Sequence, residues 1–199
     1  MRENKATLVF ATHNRHKLQE IRSILDENFI IRGLDDIGCR EDIPENKPSI
    51  EENALEKARY VYRKYHFDCF ADDTGLEVSA LDNEPGVYSA RYAGEPSDPA
   101  KNISKLLGKL AGITYRKARF RTVIALIING EEYLFEGIVN GEIIQEKKGS
   151  DGFGYDPVFI PDGYSQTFAE MTAEKKNSIS HRGMAVKKLI DFLEKTKNY

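Results

Sequence analysis

Two adjacent aspartates, Asp72 and Asp73, stand before Thr74 and Gly75 in the stretch FADDTGLEVSAL. After an apolar residue, Asp-Thr-Gly is compatible with the catalytic turn of an aspartic peptidase, with a hydrogen-bonding turn or with one half of a metal site. Asp68–Asp72 is predicted to be a strand, in which neighbouring side chains point to opposite faces. We therefore expect Asp73, which is nearer to a turn predicted at Gly75, to face a ligand. Asp72 then orients a neighbour or lies in the outer shell of a metal.

A basic segment, THNRHK, lies between a predicted strand and a predicted helix. It consists of Thr12, His13, Asn14, Arg15, His16 and Lys17. Backbone N–H groups and the positive end of the helix dipole meet at such a junction, so the segment could hold phosphate groups. It is not a Walker A loop, because it contains no glycine. The alternative is a solvated helix start with exposed basic side chains.

Three glutamates in or before the next predicted helix are candidate metal ligands, namely Glu45, Glu52 and Glu56. Lys57 in the same region is a candidate phosphate contact. Ser49 and Glu52 form a capping box, so Glu52 already has a structural role. The simpler interpretation of these charges is the solvated face of an amphipathic helix.

A glycine-rich loop, Ser150–Pro157, is predicted to present an aromatic face with little steric cover, because Phe153 and Tyr155 alternate with glycines. Flat bases stack on such faces with about 1–3 kcal/mol per base. Hydrogen-bond donors follow farther along the chain, and one of them has the planar fork of a guanidinium. These donors are Lys176, His181 and Arg182. The alternative places Phe153 in the core and Arg182 on the surface.

These segments together supply a cationic cradle, a carboxylate for a divalent ion, an aromatic face and hydrogen-bond donors. Each of the four matches one part of a nucleoside triphosphate. The combination therefore favours a nucleotide site more strongly than any single segment does.

The elements that must position these residues alternate between helix and strand. Thr7–Ala11 is predicted to be a buried strand, and Glu77–Leu81 a strand or strand-like return. Helices are predicted to start at Ser49 and at Asp98 and to cover His181–Lys195.

An antiparallel meander is predicted in the middle of the chain. Arg119–Ile128 and Glu132–Val139 read as strands joined by a hairpin turn at Asn129-Gly130, and a second turn is predicted at Asn140-Gly141. We expect a mixed α/β protein that forms one domain over residues 1–199.

Composition excludes several classes of protein. The chain has 199 residues, 40% of them hydrophobic and 31% charged, with a net charge of −3, which argues against a bulk nucleic-acid binder. No apolar run is long enough to span a membrane. The two cysteines, Cys39 and Cys69, predict reduced and mostly buried thiols in a cytoplasmic protein. The four histidines lack zinc-binding spacing.

Six motifs in order along the whole chain resemble the inosine/xanthosine triphosphate pyrophosphatase family. They are FATHNRHKLQEI at 10–21, EENALEKAR at 51–59, ADDTGLEV at 71–78, PGVYSARYAG at 85–94, GFGYDPVF at 152–159 and SISHRG at 178–183. The resemblance implies hydrolysis of ITP, dITP or XTP to the monophosphate and pyrophosphate with Mg²⁺. It also implies a homodimer and an elongated mixed sheet flanked by helices, with two lobes and a central substrate cleft.

The resemblance also implies roles for individual residues. Asp73 would be the catalytic base and a metal ligand, and Glu45 the second metal ligand. The substrate would be bound by Thr12, His13, Asn14, Arg15, His16, Lys17, Lys57, Thr74, Phe153, Gly154, Tyr155, Asp156, Lys176, His181 and Arg182.

Three positions depart from the family pattern. Pro44 falls near the place of a common metal-binding glutamate, so Glu45 or Glu41 would replace that ligand. Thr74 stands where serine is usual, and His13 stands where glycine is common.

Three rival functions remain open on the residues alone. An aspartic peptidase needs two Asp-Thr/Ser-Gly loops, and this chain has one. A nucleotide sensor or single-stranded RNA binder would use Phe153, Tyr155 and the basic residues without Asp73. A pyrophosphatase for other modified nucleotides would share the predicted site.

Overall fold

The computed structural model describes residues 6–25 and 29–196. The strands are β1 (Ala6–Phe10), β2 (Phe29–Arg32), β3 (Cys69–Val78), β4 (Pro85–Gly86), β5 (Lys117–Ile128), β6 (Glu131–Ile143) and β7 (Phe159–Pro161). They form one sheet in the order β2-β1-β3-β5-β6-β7, and β4 pairs with β3 off this path. The predicted mixed sheet is therefore confirmed.

Five α-helices flank this sheet in the part of the chain that the structure describes. They are α1 (Arg15–Leu25), α2 (Ile50–Tyr65), α3 (Pro99–Lys109), α4 (Ala173–Ile179) and α5 (His181–Thr196). Both predicted caps are confirmed, since Ser49 Oγ accepts a hydrogen bond from Glu52 N at 3.2 Å and Asp98 Oδ1 accepts one from Ala100 N at 3.0 Å.

The first of two compact units comprises the described residues of Met1–Asp73, Val123–Glu136 and Ala185–Tyr199. In this unit β1 pairs in parallel with both β2 and β3, and α1 and α2 provide the crossovers that parallel strands require. The rings of Phe10 and Phe70 stack in its core with centroids 4.7 Å apart. Because Phe10 and Phe70 are also register partners, the residues that follow β1 lie beside Asp72.

The second unit comprises Thr74–Thr122 and Gly137–Met184. Antiparallel pairs join β3 to β4 and β6 to β7. Its core surrounds Phe120, whose ring contacts that of Phe159 edge-on at 4.7 Å between centroids. This unit therefore has an aromatic core of its own.

The hairpin between β5 and β6 is confirmed, and both of its turn residues have a positive φ, 50° at Asn129 and 83° at Gly130. A two-residue turn of this kind requires such a backbone.

Two predicted turns are wrong. Gly75 lies inside β3, because Leu76 and Glu77 pair with β4 and carry the strand past the Asp-Thr-Gly triplet. Asn140-Gly141 lies inside β6. Gly141 is needed there because a Cβ would stand 2.2 Å from the carbonyl oxygen of Ile160 on β7. Gly141 therefore marks a point where the backbones of β6 and β7 lie too close together for a side chain.

Cys39 and Cys69 are free thiols, and both are buried, as predicted. Burial raises the pKa of the Cys69 thiol to about 12, with a smaller contribution from the Asp68 carboxylate. Within the described residues, no helix has both the length and the apolar character needed to cross a membrane.

Candidate active site

A buried lysine contacts three acidic residues of the first unit. Lys57, on α2, is 6% exposed, and its Nζ donates to the carbonyl oxygen of Asp72 at 2.6 Å. The same ammonium group donates to Glu45 Oε1 and lies 3.9 Å from Asp73 Oδ1. The carboxylates of the two predicted metal ligands, Asp73 and Glu45, therefore both lie near the Lys57 ammonium group.

Asp72 has a different partner. Its Oδ1 accepts a hydrogen bond from Lys17 Nζ on α1 at 2.9 Å. The carboxylates of Asp72 and Asp73 thus contact lysines from different helices, which agrees with the alternation of side chains along a strand. The structure gives Asp72 the role of holding Lys17, which was one of the two roles considered for it.

The charges in this cluster shift one another's pKa values. Burial alone would lower the pKa of Lys57, but the carboxylates of Asp73, Glu45 and Asp72 outweigh it and raise that pKa. For Glu45 burial opposes ionisation, and the nearby charge of Lys57 overcomes it and lowers the pKa. For Asp73 burial prevails over Lys57 and Lys17, so its pKa is raised. Asp73 is therefore a better proton acceptor than Glu45.

Glu41, the alternative metal ligand, is held elsewhere. Its carboxylate accepts hydrogen bonds from Lys64, from the Tyr65 hydroxyl at 3.1 Å and from Cys39 Sγ at 3.3 Å. The pKa of Glu41 is lowered to about 2, and the hydrogen bond from Lys64 is the largest cause. The structure thus places Glu45, and not Glu41, on the ammonium group that Asp73 faces. Across residues 6–25 and 29–196, no group of three or more His, Cys, Asp and Glu side chains is arranged to hold a metal ion.

The basic segment 12–17 contains both capping residues and charged residues. Asn14 Oδ1 accepts hydrogen bonds from the backbone N–H groups of His16 at 3.0 Å and Lys17 at 3.2 Å, so Asn14 caps α1. Thr12 Oγ1 accepts one from Asn14 N at 3.1 Å. His13 contacts Asp35 and the carbonyl oxygen of Glu41. The side chains of His13, Asn14, Arg15 and His16 are exposed, as a phosphate-binding loop requires.

A second group of predicted residues surrounds Phe153 in the second unit. Lys176 Nζ lies 4.7 Å from the centroid of the Phe153 ring, and Arg182 Cζ lies 5.5 Å from it. Asp156 Oδ2 accepts hydrogen bonds from Phe153 N at 2.7 Å and Lys176 Nζ at 2.9 Å. Two cations thus flank one partly exposed aromatic ring, and a buried carboxylate fixes the loop that carries it.

Thr74, Arg182 and His181 belong to the same unit. Arg182 is buried, and its Nη2 donates to Thr74 Oγ1 at 3.4 Å. Thr74 Oγ1 also contacts Thr122 Oγ1 at 2.7 Å. The His181 ring stacks on Phe120 with centroids 4.6 Å apart. The structure therefore brings Thr74, Phe153, Asp156, Lys176 and Arg182 into one connected set.

The expected aromatic face is smaller than predicted. Tyr155 is 4% exposed and belongs to the core of the second unit, so the prediction that its ring is open to a ligand is wrong. Phe153 alone keeps a partly exposed ring. The sequence of a glycine-rich loop does not show which of its aromatic rings will be buried in the core and which will stay exposed.

Two further residues of this group were not predicted. Thr122 has no motif around it, because it lies in an ordinary β-rich run. Gly152 has a φ of +75°, and a Cβ at this position would stand 2.2 Å from Asp156 Oδ2. Its position in a glycine-rich loop was visible in the sequence, but the approaching carboxylate was not.

Comparisons with known proteins agree on one family. The family model described as the Ham1 family matches residues 8–192. A "dITP/XTP pyrophosphatase" from Porphyromonas gingivalis is 58% identical over 94% of this chain and 96% of its own length. The Bacillus subtilis protein of that name is 46% identical over 94% and 96%.

Solved structures with the same fold are similar over nearly the whole chain. The Staphylococcus aureus Ham1 protein has a TM-score of 0.87 at 39% identity, covering 96% of this chain and 99% of that one. A HAM1 protein from Coxiella burnetii has a TM-score of 0.88 at 36% identity, with the same coverage.

Removing the buried ammonium group should destabilise the first unit. In Lys57→Met, the carboxylates of Glu45 and Asp73 lose their common counter-charge, and breaking a buried pair on one side costs about 3–5 kcal/mol. We expect the free energy of unfolding, measured by urea titration, to fall by about that amount. Lys64→Met is the matched control, because Lys64 lies on the same helix and pairs with an exposed glutamate. Equal losses in the two variants would contradict the assignment.

Two glycines of one loop should respond differently to the same substitution. Gly152 and Gly154 both have positive φ, +75° and +62°, but only a Cβ at Gly152 meets Asp156. Both alanine variants carry the left-handed backbone cost of about 1–2 kcal/mol. Gly152→Ala should lose about 1–3 kcal/mol more, because it displaces Asp156 from Phe153 N and Lys176. Thermal and urea unfolding of the two variants, side by side, measure this difference, and matching losses would refute it.

Proposed function

This chain belongs to the Ham1 family, and we propose that it hydrolyses the non-standard purine nucleotides ITP, dITP and XTP to the monophosphate and pyrophosphate. The family recognised from the six motifs is thereby confirmed. Curated relatives that cover almost the whole chain are dITP/XTP pyrophosphatases. The observation that carries the proposal is the buried Asp73 carboxylate, which lies 3.9 Å from Lys57 Nζ. Asp73 is on β3, which pairs with β1, the strand that leads into segment 12–17.

In the proposed reaction, a water molecule attacks the α-phosphorus in line, and pyrophosphate leaves. Asp73 accepts the proton of this water. Its carboxylate is buried and lies 3.9 Å from Lys57 Nζ, which places a proton acceptor within the charged cluster. Lys17 and Lys57 provide positive charge where the phosphate oxygens become more negative. Arg15 and the exposed residues of segment 12–17 bind the outer phosphates.

A divalent cation fits the donor set of this cluster. Asp73 and Glu45 offer the hard carboxylate oxygens that Mg²⁺ prefers, and both already lie around one positive charge, that of Lys57. We propose that these two residues would hold Mg²⁺. Bound Mg²⁺ would neutralise phosphate charge and lower the pKa of a water ligand.

The base is proposed to bind in the second unit. Phe153 provides the stacking surface, while Lys176, His181 and Arg182 provide hydrogen-bond donors. Hypoxanthine and xanthine carry an acceptor oxygen at position six, and adenine carries an amino group there. Donors that face an amino group are left without acceptors, which makes rejection of adenine steep.

Three further features are part of the proposal. The chain acts as one functional domain although it contains two compact units. It acts as a homodimer in the cytoplasm. It has a small-molecule substrate, and neither nucleic acid nor a membrane is a partner.

A panel of nucleotides tests the function directly. With Mg²⁺ present, the protein should release pyrophosphate from ITP, dITP and XTP at least about tenfold faster, in kcat/KM, than from ATP, which corresponds to roughly 1.4 kcal/mol of discrimination. Chelation of the metal should abolish turnover. A coupled assay that distinguishes pyrophosphate from phosphate is the measurement. Binding of ITP without turnover would favour a nucleotide sensor. A preference for damaged pyrimidine nucleotides would favour a pyrophosphatase for other modified nucleotides.

The role of Asp73 is tested by Asp73→Asn, which keeps the shape of the side chain and removes its basicity. We expect kcat for ITP to fall by about 100-fold or more, the range of general-base catalysis, while the melting temperature does not decrease. Asp68→Asn is a matched control near the start of the same strand, since its side chain can still accept the hydrogen bond from Asn129 N. Near-normal turnover in Asp73→Asn would remove Asp73 from the reaction.

A further inference from the structure

The motif PGVYSARYAG, at 85–94, has no part in the reaction proposed above, yet it contacts the strand that carries Thr74. Ser89 is buried, and its hydroxyl accepts a hydrogen bond from Leu76 N at 2.9 Å and donates one to the carbonyl oxygen of Gly86 at 2.6 Å. Gly86 and Leu76 are themselves register partners of β4 and β3. The Ser89 side chain therefore extends a two-residue strand pairing and fixes this segment against β3.

The backbone of Ser89 is held by a second group. The Tyr155 hydroxyl donates to the carbonyl oxygen of Ser89 at 2.9 Å. Asn102 Nδ2 approaches the same oxygen at 3.4 Å. Burial raises the pKa of Tyr155, and Tyr92 adds to this effect, so the hydroxyl stays protonated and remains a donor. One hydrogen bond thus links the loop 149–157 to the segment that Ser89 fixes.

The same loop carries the proposed stacking ring. Phe153 stands two residues before Tyr155, and Asp156 stands one residue after it. Asp156 anchors the loop through Phe153 N and Lys176 Nζ. Tyr155 provides a second anchor, which passes through Ser89 to Leu76 on β3. Leu76 lies two residues beyond Thr74, whose hydroxyl contacts Arg182.

We propose that Tyr155 is a positioning residue, which holds Phe153 and Asp156 in register with the Thr74 segment through Ser89, and does not itself bind the substrate. The proposal rests on the proposed function, because it concerns the binding of the base at that same site. A buried hydroxyl that connects two segments adds to binding by keeping the pocket preformed. Its loss affects how well the base is held, and leaves the reacting phosphate and Asp73 unchanged.

Tyr155→Phe isolates this effect, since the ring continues to fill the core and only the hydroxyl is lost. We expect KM for ITP to rise about threefold to tenfold, the size expected for one hydrogen bond, while kcat changes by less than about twofold. Ser89→Ala cuts the same connection at Leu76 N. The variant with both substitutions should have a KM only slightly higher than that of the more affected single variant. Both substitutions break the same chain of hydrogen bonds, so their effects should not add.

Tyr92→Phe is the matched control. Tyr92 is buried in the same core, and its hydroxyl also donates one hydrogen bond, to Glu84 Oε2 at 2.7 Å. In the part of the chain that the structure describes, the Tyr92 hydroxyl donates its hydrogen bond to Glu84 and not to the loop 149–157. A general loss of stability in this unit would affect both phenylalanine variants alike, and a positioning role affects only Tyr155→Phe.

A spectroscopic measurement follows the loop without turnover. The chain contains no tryptophan, so Phe153→Trp introduces a single fluorescent probe at the stacking position. Adding Tyr155→Phe to this variant should increase acrylamide quenching of the probe in the absence of substrate. Adding Tyr92→Phe should leave the quenching unchanged.

The outcomes separate the two proposals. If the unmodified protein releases no pyrophosphate from ITP, the proposed function fails, and the fluorescence comparison still tests the positioning role. If the unmodified protein is active and Tyr155→Phe has unchanged KM and unchanged quenching, the positioning role is overturned and the proposed function stands. A fall in kcat with KM unchanged would also overturn it, because the residue would then act on the chemical step.

Discussion

The buried ammonium group of Lys57 is the interaction on which the proposed chemistry depends. Burying a carboxylate such as Asp73 is costly unless positive charge lies nearby, and Lys57 provides that charge while also holding Glu45 and the Asp72 carbonyl oxygen. The ammonium group is not close enough to Asp73 to form a short hydrogen bond. Burial raises the pKa of Asp73, and the charges of Lys57 and Lys17 offset this only in part.

In the proposed function the second unit has a different task, the recognition of a flat and nearly neutral ring. Phe153 offers a face, and the cations of Lys176 and Arg182 lie near it. Cations beside an aromatic ring are attracted by its quadrupole, so Lys176 and Arg182 help to hold the Phe153 ring in place. The carboxylate of Asp156 and the hydroxyl of Tyr155 hold the loop from two sides. In the proposed function, a base that cannot accept hydrogen bonds from these donors would be rejected, because the donors would be left without partners.

Much of the architecture was predictable from local patterns. The capped helices α2 and α3, the strand β1 and the hairpin at Asn129-Gly130 were predicted because their signals are short-range: a capping side chain, an apolar run and a turn pair. The errors at Gly75 and Asn140-Gly141 have one cause. Whether a glycine ends a strand or lies within it depends on the neighbouring strand, here β4 or β7, and this partner is distant in sequence.

The sequence by itself determined the family, the class of reaction and the types of residue available to the site. Any one of the six motifs is weak evidence, but six of them in the same order along the chain are specific. Strand alternation also predicted that Asp72 and Asp73 face different partners, although the turn at Gly75 that favoured Asp73 as the ligand-facing residue was wrong. Only the tertiary structure decided that Asp72 holds Lys17, that Glu45 and not Glu41 shares Lys57 with Asp73, and that Tyr155 points into the core. These decisions depend on which side chains meet across different elements. The free energy of burying a charge or a ring is set by those neighbours, and no local pattern specifies them.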